Sequence, residues 1–580
     1  MKTLILIFLL AVQVSFGQNK LSPDIRLNQI GFYPNAKKIA VVVNDIAADF
    51  YIASPDLKKK YFSGKLSDQK TSPYSPKKTR IADFTSWKVP GTFVVVVPGV
   101  GHSHVFDIKK GVHHSVAKAS LKSFYFQRFS IPLTEELAGK WKRAAGPSHK
   151  QIEVHPSAAT QARPAGTIIA SPGGWIDAGD YNKYIVNSGI STSTILSAYE
   201  DFSSFYDTLR LNIPESKNQI PDILDEALWN LRWMLTMQDP DDGGVYHKCT
   251  NAKFDGMVML DQATTTRYVV QKGTAAALNF AAVTAQASRI LKRYQSQLPG
   301  LADSCLRASV RAWNWAQQNP DVEYNQNKLN EAFDPDIVTG AYGDKTFTDE
   351  FMWAAAELSS ATNDLKYLKT VDLVADNALP VPSWNQVKAL AYYTLLKNPR
   401  PLDNALVTEL KNRLVQAADD LIAGVESRSY NTVMGGSAKD FVWGSSAVAA
   451  NQGILLLYAY RLTKNEAYAN HALANLDYLL GRNATGYSFV TGYGDKTPMH
   501  IHHRPSEADG IIEPVPGLLA GGPNPGMQDK CTYASSIPDE AYVDDVCSYA
   551  SNEVAINWNA PLVYLTGALE ALQLELGHTK

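Results

Sequence analysis

The chain is expected to fold as a small all-β sandwich followed by a much larger all-α toroid. Three observations lead there. Short runs rich in Val, Ile, Phe and Tyr crowd residues 20 to about 110; helical patterns fill most of the remainder; and the loops between those helices are long and polar. At 580 residues the chain exceeds one ordinary hydrophobic core, and two domains of unequal size follow.

The first segment, residues 1–17, reads as an export signal. Lys2 supplies a positive start, "LILIFLLAV" an apolar run too short to span a bilayer, and Ser15-Phe16-Gly17 a small-x-small cleavage site. A secreted or periplasmic protein is expected, cleaved near Gly17. No cysteine precedes Cys249, so no lipid-anchored cysteine is expected at the mature N-terminus.

Residues 18–110 form the expected sandwich. "KIAVVVND", "DFYIAS", "TFVVVVPG" and "HVFDI" are strand-like runs parted by Pro, Gly, Asn and Asp. From residue 111 to 580 the texture is helical. "IPDILDEALWNLRWMLTMQ" places Ile220, Ile223, Leu224, Ala227, Leu228, Leu231, Met234 and Leu235 on one face, with Asp222 and Asp225 in the first turns. "GTAAALNFAAVTAQASRIL" is alanine-rich enough to require neighbours on more than one side. Helices joined by long loops suit a toroid better than a bundle, and the loops are where chemistry is to be sought.

Composition narrows the function. The formal net charge is −2 with no long basic or acidic block, which argues against nucleic acid and anionic membrane partners. Eleven Trp and 28 Tyr suit a core, and also a cleft that stacks on sugar rings. Cys249, Cys305, Cys531 and Cys547 make no framework; Cys531 and Cys547 flank one loop, and a disulfide and buried thiols both stay open.

Four loop segments concentrate reactive side chains. In "GGWIDAGDYNKYIV", Asp177 and Asp180 sit three apart in a glycine-bounded loop, where two carboxylates can face one water molecule; a helix cap and an Asx-turn are the structural alternative. In "YASNEVAINWNAPL", Glu553 stands among apolar and aromatic groups that would raise its pKa, or else caps a helix. "SFVTGYGDKTPMHIHHRPS" gathers His500, His502, His503 and Arg504 without zinc spacing, and fits hydrogen bonding to sugar hydroxyls or a surface cluster. "TGAYGDKTFTDEFMW" offers Asp344, Asp349 and Glu350, either as calcium-type oxygens or as an acidic first helical turn.

Together these segments resemble glycoside hydrolase family nine, in the branch with an N-terminal immunoglobulin-like domain. "IRLNQIGFYPNAKKIAVV", "GGWIDAGDYNKY", "GGVYHK", "SFVTGYG…HHR" and "YVDDVCSYASNEVAINWNAPL" fall in that family's order over nearly the whole mature chain. The resemblance implies an immunoglobulin-like sandwich, an (α/α)6 toroid, and an open cleft for a β-1,4-linked glucan. It implies Asp180 as general base, Asp177 as the residue that helps hold the attacking water, and Glu553 as general acid. His502 and Arg504 match a sugar-contacting His-x-Arg pair. Tyr549, Trp443 and His247 complete the expected substrate contacts. The expected activity is an inverting endo-β-1,4-glucanase on soluble or amorphous β-glucans, acting as a monomer. An exo-acting β-glucosidase or glucosaminidase is the alternative on the same fold; a polysaccharide lyase would leave the paired aspartates unemployed.

Three departures from the family pattern carry consequences. Phe129 and Ser148 stand where some relatives place zinc-binding cysteines, so zinc is not expected. No cofactor is required for the chemistry. Asp349 and Glu350 match a pair that holds structural calcium in some relatives, with Asn385 where a further Asp is expected, so affinity should fall with the lost charge. Tyr181 follows Asp180 where many relatives carry His.

Overall fold

A computed structural model describes residues 20–44, 47–399 and 402–580. The expected export signal, residues 1–17, lies outside them.

The sandwich comprises ten strands. One sheet joins Ile25–Arg26 (β1), Ile39–Val42 (β3), Ser75–Asp83 (β7) and Lys70–Ser72 (β6). The other runs Gly31–Phe32 (β2), Phe106–Ile108 (β10), Gly91–Val97 (β8), Asp49–Ala53 (β4) and Lys60–Lys65 (β5), with Gly101–His102 (β9) beside β8. Side chains alternate across each strand, so Phe93, Val95 and Val97 of β8 meet Ala40 and Val42 of β3 in the space between the sheets. Yet β3 is buried on both faces. Its other face, Ile39 and Val41, packs on Tyr430 and Ala484 of the helical domain. That double burial explains why "KIAVVV" is apolar without interruption.

Polar contacts tighten the same junction. The Asn28 amide donates to Asp477 at 2.8 Å, the Tyr33 hydroxyl to Glu570 at 2.7 Å, and Arg26 to the Ala484 carbonyl at 2.9 Å. All of these side chains are buried, so each must find a partner or leave a desolvated group unmatched. Burial lifts the Asp477 carboxyl to about 6, against the pull of Arg482 and Asn28.

Eleven helices of ten residues or more follow among the described residues: His114–Phe126 (α1), Ile185–Asp201 (α2), Asp222–Thr236 (α3), Thr274–Leu291 (α4), Leu301–Gln318 (α5), Thr348–Thr362 (α6), Lys388–Lys397 (α7), Asn404–Ile422 (α8), Ser445–Thr463 (α9), Glu466–Leu479 (α10) and Ile556–Leu572 (α11). Helices α2, α4, α6, α7, α9 and α11 form an inner ring, and α1, α3, α5, α8 and α10 pack outside it. Opposite α6 the outer position holds a short 3-10 turn, Leu368–Thr370.

Burial sorts the two rings. In α4 every residue except Arg289 is buried, as its run of alanines requires. In α8 only Leu410, Leu414 and Ala418 are buried, one stripe at four-residue spacing. The ring closes where Tyr393 of α7 stacks on Tyr458 of α9, centroids 3.9 Å apart. Nearby, buried Asp201 of α2 accepts hydrogen bonds from Tyr458 and Tyr564 at 2.7 and 2.8 Å and pairs with Lys397 and Arg461 at 2.9 and 2.5 Å. One carboxylate thus ties together four inner helices.

A second β element was not expected from sequence. Ile168–Ile169 (β12), Ile152–Val154 (β11), Arg267–Val269 (β15), Lys248–Asn251 (β14) and Lys183–Tyr184 (β13) form a five-stranded sheet within the loops of the helical domain. Strands of two to four residues are too short for a period-two pattern to register. No helix among the described residues is long and apolar enough to cross a membrane.

Candidate active site

The loop holding both aspartates is locked from several sides. Gly174 takes φ +81, and a Cβ there would stand 2.7 Å from the Trp233 ring. Trp175 is fully buried and its N–H donates to Asn230 at 3.0 Å. Lys183 donates to the Gly173 carbonyl at 2.7 Å. At Gly179 the loop passes so close to the neighbouring segment that a Cβ would lie 2.1 Å from the His502 carbonyl oxygen. Glycine is required there by space, not by backbone angle.

Asp177 is 1% exposed and both its oxygens are occupied. Asn187 donates to Oδ1 at 3.0 Å and Oδ2 at 3.2 Å, and the Tyr342 hydroxyl donates to Oδ2 at 3.1 Å. Burial, and then the neighbouring Asp180, push the Asp177 carboxyl well above its ordinary range. Asp180 is 5% exposed and lines the cavity described below. Its hydrogen bonds, from the Asn182 amide and backbone N–H and from the Tyr184 hydroxyl at 3.1 Å, all fall on Oδ2. That polarity aims Oδ1 at the cavity.

Glu553 stands just before α11. Its backbone pairs with His502, and its Oε1 accepts from the Gly179 N–H at 3.2 Å. The first N–H of α11, on Ile556, donates to the Asp177 carbonyl at 2.8 Å. The acid helix and the aspartate loop are therefore joined twice. Burial raises the Glu553 carboxyl well above the ordinary glutamate range, and Asp180 and Asp177 add to the shift. A carboxyl raised in this way holds its proton to higher pH than an exposed glutamate does, which is what a proton donor needs.

Asp180 and Glu553 both line a cavity of about 470 Å³ whose wall also includes Tyr342, Trp384, Trp443 and Trp558. Trp443 is 43% exposed, and its ring meets Tyr549 with centroids 5.4 Å apart. Tyr549 in turn lies edge-on to His502 at 5.9 Å. Cys531 and Cys547 form a disulfide that closes the loop leading into Tyr549. Cys249 and Cys305 are buried free thiols.

Two expected sugar contacts bond backbone carbonyls of the protein itself. His247 is 1% exposed, donates through Nε2 to the Ala341 carbonyl at 2.8 Å, and stacks on Tyr324 at 4.1 Å. It lies behind the cleft wall formed by Gly340 and Ala341, because the strand it precedes is buried between β13 and β15. Arg504 is also buried; it donates to the Gly179 carbonyl at 2.8 Å and to the Asp255 carbonyl at 2.9 Å. Its guanidinium braces the aspartate loop. His502 is half-buried and engages the Val546 carbonyl through Nδ1 at 2.6 Å, which leaves its other nitrogen for a ligand.

The residues expected to hold calcium divide. Glu350 is buried, and neither carboxylate oxygen has a hydrogen-bond partner; Asp344 Oδ2 is likewise unpartnered. Burial, then Asp349 and Asp344, push the Glu350 carboxyl well up. Such oxygens fit a hard cation. Asp349 Oδ2, however, accepts from the Val387 N–H at 2.7 Å, and Asn385 Oδ1 accepts from the Ser383 hydroxyl at 2.9 Å. Asn385 is thus turned to its own loop, and among the described residues no three His, Cys, Asp or Glu side chains stand together in ligating geometry. Where zinc-type ligands are missing, Phe129 stacks on buried His149 at 4.1 Å and packs with Ile176, Tyr181, Leu260 and Ala263. Tyr181, the departure beside the base, donates its hydroxyl to the Val258 carbonyl at 2.7 Å.

Several site residues went unnoticed in the sequence. Asn182, Tyr184 and Asn187 lie within or just past the aspartate motif, and a search for donors near each carboxylate would have found them. Tyr342 and Trp384 come from distant loops, and nothing local marks them.

Comparison with known proteins shows the family. The family model "Glycosyl hydrolase family 9" matches residues 113–566, and "Cellulase N-terminal ig-like domain" matches residues 20–102. The chain is 47% identical over 552 residues to the xyloglucan-specific endo-beta-1,4-glucanase BoGH9A of Bacteroides ovatus, covering 94% of each. It is 34% identical to endoglucanase D of Acetivibrio thermocellus, over 93% of this chain and 82% of that one. A solved structure described as Bacteroides ovatus GH9 superposes with a TM-score of 0.90 at 46% identity, covering 95% of this chain and 99% of that chain. The chain belongs to glycosyl hydrolase family 9, carries that family's cellulase-type immunoglobulin-like domain in front, and is a glycoside hydrolase.

Proposed function

We propose that the protein is an inverting endo-β-1,4-glucanase whose substrate is a soluble, branched glucan of the xyloglucan type. The observation that carries the chemistry is that Glu553, its pKa raised by burial, and Asp180, whose hydrogen bonds all fall on Oδ2, line one aromatic-walled cavity. Glu553 donates its proton to the glycosidic oxygen as that bond breaks. Asp180 takes a proton from a water on the opposite face of the sugar, and the water oxygen bonds to the anomeric carbon as the leaving oxygen departs. Inversion of this kind uses carboxyl groups roughly 6.5–9.5 Å apart, room for that water. Asp177, whose oxygens are held by Asn187 and Tyr342, fixes the loop geometry and faces the same water.

The substrate reading rests on the 47% identity to a xyloglucan-specific enzyme and on the exposed Trp443 platform at an open cleft. Residues 1–17, which read as an export signal, support a location outside the cytoplasm, where such polymers occur. A cation at Glu350 and Asp344 would tie the loop at Asp344 to the first turn of α6. The deciding experiment is a product time course on xyloglucan, mixed-linkage glucan and carboxymethylcellulose, with the anomer of the first product read by NMR. Endo action on xyloglucan yields a ladder of large oligomers with the α-anomer first. Release of glucose or glucosamine alone identifies an exo enzyme, and a β-anomer first removes the inverting assignment.

A further inference from the structure

The motif "GGVYHK" contributes two buried polar side chains that no catalytic role uses. His247 directly precedes strand β14 and Lys248 opens it; the strand lies between β13 and β15 in the five-stranded sheet, and both side chains reach a second loop, residues 339–343. On one side the backbone of β14 pairs with β13, Tyr184 against Lys248, and the Ile185 N–H donates to the His247 carbonyl at 3.0 Å. The side chains grip the other loop.

There, three successive carbonyl oxygens each receive a different side-chain donor. Gln326 donates to Thr339 at 2.8 Å, Lys248 to Gly340 at 2.7 Å, and His247 Nε2 to Ala341 at 2.8 Å. A carbonyl only accepts, so His247 carries its proton on Nε2, and the buried Nδ1 has no partner. Burial also pushes this imidazole down to about 3, so it remains a single fixed donor in neutral solution. The ring lies flat on Tyr324, 11° from parallel.

Immediately after the gripped segment, Tyr342 takes φ +46, a left-handed conformation unusual for an aromatic residue. Such a backbone persists only where its surroundings over-determine it. The following Gly343 has no room for a side chain, since a Cβ would lie 2.5 Å from the Tyr324 carbonyl oxygen. The consequence falls on the site: the Tyr342 hydroxyl reaches Asp177 at 3.1 Å, and its ring meets that of Tyr184, the donor to Asp180. A parallel route runs from Thr339 Oγ1 to Thr250 Oγ1 at 2.7 Å and on to Asn182, which donates to Asp180.

We infer that His247 and Lys248 are positioning residues: by clamping the carbonyls of Gly340 and Ala341 they force Tyr342 into its left-handed turn and hold its hydroxyl on Asp177. This rests on reading Asp177 and Asp180 as the water-holding pair. The alternative is that both side chains merely fill the core, in which case their loss lowers stability and leaves turnover per folded molecule intact.

A double-mutant cycle on the full chain separates the two. Tyr342→Phe and His247→Ala should each lower kcat by about ten- to hundredfold with KM little changed, as expected for misplacing a group by a fraction of its reach. In the double variant the losses should not multiply, because both act through one hydroxyl. His247→Gln, which restores an N–H donor, should recover much of the lost kcat. Rates are normalised to folded protein by circular dichroism well below the melting midpoint. Losses that multiply, or a His247→Ala enzyme with wild-type kcat per folded molecule, overturn the clamp. Asp180→Asn is the control: if it stays active, the water-holding assignment fails, whereas an inactive Asp180→Asn beside multiplying single losses removes the clamp alone.

Discussion

The backbone N–H of Gly179 donates to Glu553 Oε1 at 3.2 Å, so the residue just before Asp180, the proposed base, is bonded directly to Glu553, the proposed acid. The two carboxyl groups therefore sit on one mechanical unit, and a shift in either loop moves both. Their proximity also raises the pKa of Glu553, because Asp180 disfavours a second negative charge beside it.

Glu553→Gln tests the acid. Loss of a general acid should lower kcat by about 10²–10⁴-fold while glucan binding persists. The pH dependence has a definite sign. The folded-state pKa of Glu553 lies above its unfolded value, so ionising it opposes folding as pH rises from the unfolded value through the folded one. Wild-type activity should fall on the alkaline side as this proton is lost. The melting midpoint of Glu553→Gln should gain on wild type between acid and neutral pH. A glutamine variant with no relative gain contradicts the burial argument.

Gly179→Ala tests the junction. The added Cβ meets the His502 carbonyl at 2.1 Å, and backbone cannot give way as a side chain can. Overpacking of this kind costs about 1–3 kcal/mol, and activity should drop with it because the displaced loop carries Asp180. Urea titration gives the first quantity and turnover per folded molecule the second. Unchanged values for both would mean the close approach is not maintained in solution.

Asp201→Asn addresses the ring rather than the site. The change leaves Lys397 and Arg461 without their shared carboxylate, and breaking a buried pair by removing one partner costs about 3–5 kcal/mol. Differential scanning calorimetry should record a markedly lower midpoint. A midpoint within a degree of wild type would show that the ring does not depend on this knot.

Trp443→Ala should raise KM with little effect on kcat, since the exposed ring offers a stacking face rather than a reacting group. The loss should be on the order of 1 kcal/mol, or about fivefold. An unaltered KM on long oligomers would take Trp443 out of the substrate path.

Chelation tests the cation. If Glu350 and Asp344 hold calcium, EDTA should lower the melting midpoint of wild type and added calcium should restore it. Glu350→Gln should be insensitive to both. A wild-type midpoint indifferent to EDTA and calcium alike would mean these carboxyls are accommodated by protonation instead.

Much of the outcome was written locally. The helical spacing of residues 220–235, the alanine density of α4 and the aspartate motif with its glycines each depend on side chains a few positions apart, and such short-range constraints survive in the order of residues. Glu553 was legible as a candidate acid for the same reason, from its apolar and aromatic neighbours in the chain. What the order of residues could not supply was burial direction and long-range company. His247 and Arg504 read as sugar ligands through the family resemblance of their motifs. Only the packing of β14 within its sheet, and of Arg504 against Gly179, shows the backbone carbonyls they bond. Tyr342 is 165 positions from Asp177 and was invisible until the toroid closed. The chain by itself determined which groups could do chemistry; the closing of the ring decided which ones face the cleft, because desolvation and hydrogen-bond partners are properties of a place in space.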